Sequence, residues 1–307
     1  MTLLILLLLT GCILLGGSYY AYRVAFYSPL KNRDQIPSTS GHQYDPYRTE
    51  MARIYKQLTE RPCEYVTVTS HDGLVLSGRY YHVQDGAPMD IGFHGYRSSP
   101  MTDFSGGSEL IFEKGHNLLL VDQRAHGKSQ GRTISFGIQE RQDLLAWVNY
   151  VIGRFGPDVK ILLYGISMGG ATVLMASEFP LPENVKGIVA DCPYSSPLDI
   201  ILHVGKDMPI PQWLIRPFAV WGARIFGGFD LQEITAEKAV ANAKVPILII
   251  HGEDDHFVPC EMSNITYANS PLVQRHTFPG ADHGISYLVD RERYRKIVSE
   301  FLHNCIT

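Results

Sequence analysis

The sequence predicts an α/β fold, a mostly parallel sheet covered on both faces by helices. Three observations carry this. From Met89 onward, short apolar runs alternate with helix-length segments, the signature of parallel strands joined by helical crossovers. Within that alternation, Lys160-Ile161-Leu162-Leu163 leads into Tyr164-Gly165-Ile166-Ser167-Met168-Gly169-Gly170 and then Ala171 to Ala176, which reads as buried strand, sharp turn and helix. Finally, Ser286 to Asn304 reads as one amphipathic closing helix, with Tyr287, Tyr294, Ile297, Val298 and Phe301 as its apolar positions. With 307 residues, 45 % of them apolar, the chain can bury a sizeable core.

Met1 to Tyr22 contains no charged side chain and is almost pure Leu and Ile from Leu3 to Leu15. As a helix it is long enough to cross a bilayer, with Tyr19, Tyr20 and Tyr22 at the interface. A cleaved signal peptide normally carries positive charge before its apolar core, and none precedes this one. The expectation is an uncleaved single-pass anchor over residues 1–22. Arg23, Lys31 and Arg33 follow it and lean the rest of the chain toward the cytoplasm. Leu9-Thr10-Gly11-Cys12 resembles a lipoprotein cleavage box, but the missing basic start and the apolar residues beyond Cys12 count against it. Residues 23–45, with Pro29, Pro37 and Gly41, read as a linker, and 46–307 as the folded domain.

Tyr47 to Glu60 reads as a short helix covering one sheet edge. Glu64 to Thr69 and Leu74 to His82 alternate around His71-Asp72-Gly73 and form an antiparallel hairpin. Strands are then expected at Met89–Phe93, Asn117–Val121, Ile161–Tyr164, Val185–Ala190 and Val245–Ile250. Helices are expected ending at Lys114, over Gln139–Arg154 and over Ala171–Glu178. One stretch, about residues 196–232, breaks the rhythm. It is long and apolar without a strand pattern, and is expected to be a small helical cap lining an acyl or aromatic pocket through Trp213, Phe218 and Trp221.

The five cysteines are widely spaced and form no CxxC, so no zinc site or disulfide framework is indicated. A net charge of −4 without a long charge run argues against a nucleic-acid partner.

The chemistry centres on Ser167. Gly165 and Gly169 allow the sharp turn that lifts a serine above a strand end, and the following helix N-terminus favours negative charge. A serine hydroxyl needs a base, and the base a carboxylate to orient it. Downstream of the strand at Val245–Ile250 comes His251-Gly252-Glu253-Asp254-Asp255-His256-Phe257-Val258-Pro259, and further on Gly280-Ala281-Asp282-His283-Gly284. His283 is the candidate base. Glu253, Asp254 and Asp255 are all candidate acids on chemistry alone, and Asp282 is a poor one because adjacent side chains diverge. His251, Asp255 and His256 have metal-ligand types, but no second cluster completes a coordination sphere. An oxyanion would be held by the N–H of Met168 and by that of Tyr96, in the loop after Met89–Phe93.

At this point the chain resembles the α/β-hydrolase superfamily over about residues 64 to 304, and looks like its bacterial, N-terminally membrane-anchored esterases and lysophospholipases. The resemblance rests on Phe93-His94-Gly95, Asp122 to Ser129, Gly165 to Gly170, His251-Gly252-x-x-Asp255-x-x-Val258-Pro259 and Gly280-x-x-His283-Gly284. It assigns the acid to Asp255 and makes Asp122 to Gly131 structural. Relatives that are haloalkane dehalogenases or epoxide hydrolases carry Asp at the elbow, so Ser167 implies acyl transfer to water. The expectation is a small-molecule ester substrate, a Ser167–His283–Asp255 triad, and no metal or organic cofactor. The alternatives are an acyltransferase or peptidase on the same triad, or a non-catalytic binding protein.

Overall fold

The computed structural model describes residues 2–29, 42–267 and 272–306. Most of the expected linker, residues 30–41, lies outside the described residues. The chain runs α1 (Thr2–Ala21), a π-helical turn (Tyr22–Phe26), α2 (Arg48–Glu60), β1 (Glu64–Thr69), β2 (Val75–Tyr81), β3 (Met89–Phe93), α3 (Pro100–Asp103) and α4 (Ser105–Glu113). It continues with β4 (Asn117–Val121), α5 (Glu140–Phe155), β5 (Ile161–Ile166), α6 (Met168–Ala176), β6 (Val185–Asp191), α7 (Pro197–Val204), α8 (Gln212–Gly222) and α9 (Ala236–Val240). It closes with β7 (Ile247–Gly252), α10 (Cys260–Tyr267), β8 (Val273–Phe278), α11 (Ser286–Val289) and α12 (Arg291–Ile306).

The eight strands form one sheet in the order β1-β2-β4-β3-β5-β6-β7-β8. β2 pairs antiparallel with both β1 and β4, and every pair from β4 to β8 is parallel. Strands β3, β4 and β7 are buried at every residue, as expected when helices cover both faces. From β3 the chain steps outward to β4, then crosses back to β5 on the other side of β3. That reversal is a topological switch point, and the crevice beyond the carboxyl ends of such strands is where open α/β sheets bind ligands.

Four elements differ from the sequence expectation. β8 was not expected, because Val273-Gln274-Arg275-His276-Thr277-Phe278 mixes polar and apolar residues as an edge strand does. The closing helix is two helices, broken where Asp290 leaves helical geometry (ψ 79°) and its carboxylate accepts the N–H of Arg293. Helix α2 packs on α4, where Arg53 pairs with Glu109, rather than on a sheet edge.

The fourth difference is the largest. The end of α1 and the first residues of the expected linker are part of the domain. Tyr22 and Phe26 are buried, and Phe26 stacks edge-on against Phe136 (5.8 Å) and Phe229 (5.3 Å). Tyr27 forms a bridge with Thr133, and the N–H of Ser28 donates to Arg132 O at 2.8 Å. Phe26→Ala should therefore lower stability by about 3–5 kcal/mol, the usual cost of emptying a buried phenylalanine site. Urea unfolding in detergent checks this, and an unmoved midpoint would mean that the segment does not hold the domain together.

Candidate active site

Ser167 sits between β5 and α6 with φ 56° and ψ −116°, a left-handed conformation that a non-glycine residue occupies only where its surroundings impose it. The two glycines impose it by close approach. A Cβ on Gly165 would stand 2.1 Å from Gly169 O, and one on Gly169 would stand 1.8 Å from Phe93 O. No side chain fits either gap, so α6 starts directly against the end of β3. The helix begins at Met168, three residues before the sequence expectation. The N–H groups of its first turn thus point out at the serine without intrahelical acceptors. The N–H of Ser167 itself donates to Asp191 O at 2.8 Å.

His283, in the loop between β8 and α11, reaches the serine. Its Nε2 lies 2.9 Å from Ser167 Oγ and its Nδ1 lies 2.7 Å from Asp255 Oδ2. Asp255 is fixed from three sides. Its Oδ1 accepts the N–H groups of Phe257 (3.0 Å) and Val258 (2.7 Å), while His251 Nε2 lies 3.2 Å from Oδ2. Burial alone would raise its carboxyl, but hydrogen bonds from His251 and His283 override this and hold it well below the usual range. For His283, burial works against the charged form, yet the Asp255 carboxylate beside it raises the pKa above 6.5.

The other acids are occupied elsewhere. Glu253 accepts from Thr277 Oγ1, and Asp254 is held through its backbone N–H to Ala281 O. Asp282 accepts the N–H groups of His283 and His256 and the His256 ring. That leaves Asp255 as the one acid of the four in contact with His283 Nδ1, and His256 far out in solvent.

On the other side of the serine, Gly95 packs against it, with a built Cβ 3.3 Å from Ser167 Cβ. Tyr96 is the next residue, and it lines the same cavity as Ser167. The loop is pinned by Asp103, which accepts from Gly95 N–H and Ser98 Oγ, both at 2.6 Å. His94 pins it from below. Its Nε2 accepts Gln123 N–H at 3.1 Å, so Nδ1 carries the proton and donates to Gly95 O at 2.8 Å. Burial lowers the His94 pKa to about 4, which keeps that tautomer neutral. The Asp122 to Gly131 segment is tied within itself, by Lys128 N–H to Asp122 Oδ2 (2.9 Å) and Ala125 N–H to Gln130 O (2.9 Å), and to its neighbours through Arg124. The Arg124 guanidinium bonds both oxygens of Asp143 at 2.6 Å and reaches Asp72.

A cavity of about 490 Å³ opens from Ser167. Its roof is the segment between β6 and β7, with Ile200, Met208, Ile215 and Phe218 among its lining residues. Of the three aromatics expected to line it, only Phe218 does. Trp213 is 76 % exposed and Trp221 41 %, because the face of α8 carrying Phe218, Ala219 and Gly222 turns inward. The sequence reading missed two lining groups. One is Phe136 and Tyr194. The other is Gly17, Tyr20, Ala21, Val24 and Ala25, from the N-terminal segment. It also missed Cys192, whose Sγ lies 3.9 Å from His283 Nε2 and whose thiol burial pushes well above its ordinary value.

Two clusters of the described residues have metal-ligand types, Cys192–Asp255–His283 and His71–Asp72–Asp143. In the first, the Asp255 carboxylate is engaged by His283, whose imidazole reaches Ser167, and in the second both carboxylates pair with Arg124.

A family profile described as alpha/beta hydrolase fold matches residues 94–236. The protein YqkD of Bacillus subtilis (strain 168) is 24 % identical over 295 residues, covering 94 % of this chain and 92 % of its own. Among solved structures, the Pyrococcus furiosus esterase Pf2001 is similar with TM-score 0.65 and 25 % identity, over 82 % of this chain and 96 % of its own. Est1E from Butyrivibrio proteoclasticus, solved with ferulic acid bound, is similar with TM-score 0.62 and 22 % identity, over 78 % and 99 %. Sheet order, switch-point site and these matches agree: the chain has the α/β-hydrolase fold, and the matches support its place among the hydrolases of that superfamily.

Proposed function

We propose that the protein is a membrane-held serine hydrolase that cleaves carboxylic esters with an apolar acyl part. The carrying observation is the unbroken chain of contacts from Ser167 Oγ through His283 to Asp255, opening into an apolar cavity. Ser167 Oγ attacks the ester carbonyl carbon while His283 Nε2 takes its proton, and the N–H groups of Met168 and Tyr96 hold the oxyanion. His283 then passes that proton to the leaving alcohol as the ester C–O bond breaks. A water, deprotonated by His283, attacks the acyl-enzyme, and the same proton returns to Ser167 as the acid departs.

The base must be neutral to act. Because Asp255 raises the His283 pKa above 6.5, kcat/KM should climb with pH through an apparent pKa above 6.5, with activity falling on acidification. A pH–rate profile checks this; an acid limb midpoint below the ordinary histidine value of about 6.5 would contradict it.

The helix α1 is long and apolar enough to span a membrane. Retention of α1 is supported by its own packing on the domain: Ser18 is buried and Gly17 lies against the Phe218 ring. Arg23, just after it, leans the domain toward the cytoplasm.

The test is hydrolysis of a p-nitrophenyl ester series from acetate to palmitate by the full chain in detergent, with Ser167→Ala as control. Serine-dependent turnover peaking at one chain length supports the reading. No turnover at any length from folded protein would overturn it in favour of a binding protein or an acyltransferase that excludes water.

A further inference from the structure

We infer that the last turns of the N-terminal helix are a wall of the acyl pocket, and that the substrate is a single-chain lipid ester entering laterally from the bilayer; this rests on the ester-hydrolase reading above. Three observations converge on it.

The first is the fit of α1 on the cap. A Cβ on Gly17 would stand 2.6 Å from the Phe218 ring, and one on Gly222 would stand 2.6 Å from Ser18 O. Small residues on both helices permit this close approach, as they do between helices inside membranes. The helix is thus docked along α8, and the cavity that reaches Ser167 runs between them, with Val24 and Ala25 on one side and Phe218 on the other.

The second is a mechanical link to the reacting end. Tyr96 Oη donates to Ala25 O at 2.7 Å, and Arg97 Nη2 donates to Val24 O (2.8 Å) and Tyr27 O (3.0 Å). The loop proposed to hold the oxyanion is therefore built onto the carbonyl end of the N-terminal helical segment.

The third is length. The part of α1 before Gly17, Thr2 to Gly16, exposes Leu4, Leu8, Ile13 and Leu15 and rises only about 22 Å at the usual rise of ~1.5 Å per residue. The hydrocarbon core is about 30 Å thick. For α1 to cross it, the docked turns from Gly17 to Ala21 must enter the membrane too, and they bring the cap with them. The cap is dressed for that position. Trp213 (76 % exposed), Ile225 (53 %) and Trp221 (41 %) stand out from it, and tryptophan prefers the membrane interface. The pocket mouth then opens at the depth of the lipid headgroups and upper acyl chains. Its volume of about 490 Å³ lies in the ordinary range for one small ligand, roughly 300–1,000 Å³, which favours a one-chain ester over a diacyl lipid.

The experiment uses the full chain in phosphatidylcholine nanodiscs, with p-nitrophenyl butyrate and dodecanoate as probes. Val24→Trp, which places an indole at the pocket wall, should lower the dodecanoate-to-butyrate rate ratio at least tenfold. Ala25→Leu, a smaller intrusion that guards against misfolding of the first variant, should lower it at least threefold. Ratios within twofold of wild type in both folded variants would overturn the wall. In vesicles carrying monododecanoylglycerol, the double variant Trp213→Gln, Ile225→Gln should hydrolyse the lipid at least fivefold more slowly than wild type, and an unchanged rate would overturn bilayer entry. Wild-type protein that neither turns over butyrate nor labels with a fluorophosphonate would instead sink the hydrolase reading itself.

Discussion

Ser167→Ala should reduce kcat on the best p-nitrophenyl ester on the order of 10⁴-fold or more while leaving the unfolding midpoint close to wild type. The size follows from the role: without Oγ no acyl-enzyme forms, and what is left is binding and oxyanion stabilisation. The intact fold follows from the geometry. The strain at the elbow is set by the close contacts of Gly165 and Gly169 with Gly169 O and Phe93 O, and alanine can occupy the same φ of 56° with the same Cβ. Steady-state kinetics beside thermal unfolding checks both halves. Activity retained within tenfold would mean that another group is the nucleophile.

Asp255→Asn should cost about 10⁴-fold in kcat, by a different route. Asp255 now accepts Nδ1–H of His283 at 2.7 Å, which leaves Nε2 as the unprotonated nitrogen facing Ser167 Oγ. An asparagine keeps the backbone N–H bonds at its oxygen, since Phe257 and Val258 donate to one atom. Its amide nitrogen then faces Nδ1 and donates to it. The imidazole proton moves to Nε2, and the base can no longer accept from serine. The raised pKa of His283 also loses its cause, so the acid limb should move to lower pH as the rate falls. A loss below tenfold, or an acid limb that stays in place, would point to Glu253 or Asp254 as the functional acid.

The strands and the candidate site residues were legible because each rests on short-range constraints. An apolar run bounded by turns can be read locally, and so can a serine between glycines after a strand. The candidate acid was legible as a choice of three on chemistry, and became one through the resemblance; in the structure Asp255 is the one of the three that receives both the loop N–H groups and His283. What was not legible depends on which side of a helix faces a distant neighbour. Trp213 and Trp221 look like pocket residues by composition, but the phase of α8 puts Phe218 inward and leaves both tryptophans out. The N-terminal segment is the sharper case. An uncharged Leu-rich run reads as a membrane span whether or not its end also packs on protein. The available signal was Gly16-Gly17-Ser18 at the end of the run, small residues that permit a second helix to approach. Edge strand β8 and the break at Asp290 were hidden for a related reason, because half-buried edges and local caps leave only weak periodicity.

The central claim is that Ser167 is a nucleophile activated by His283. The most direct measurement is covalent labelling of the full chain in detergent with a fluorophosphonate, with the modified peptide located by mass spectrometry. The account predicts one label, on Ser167, formed much more slowly in His283→Ala than in wild type. Folded protein that takes no label, or takes it on another residue, would contradict it.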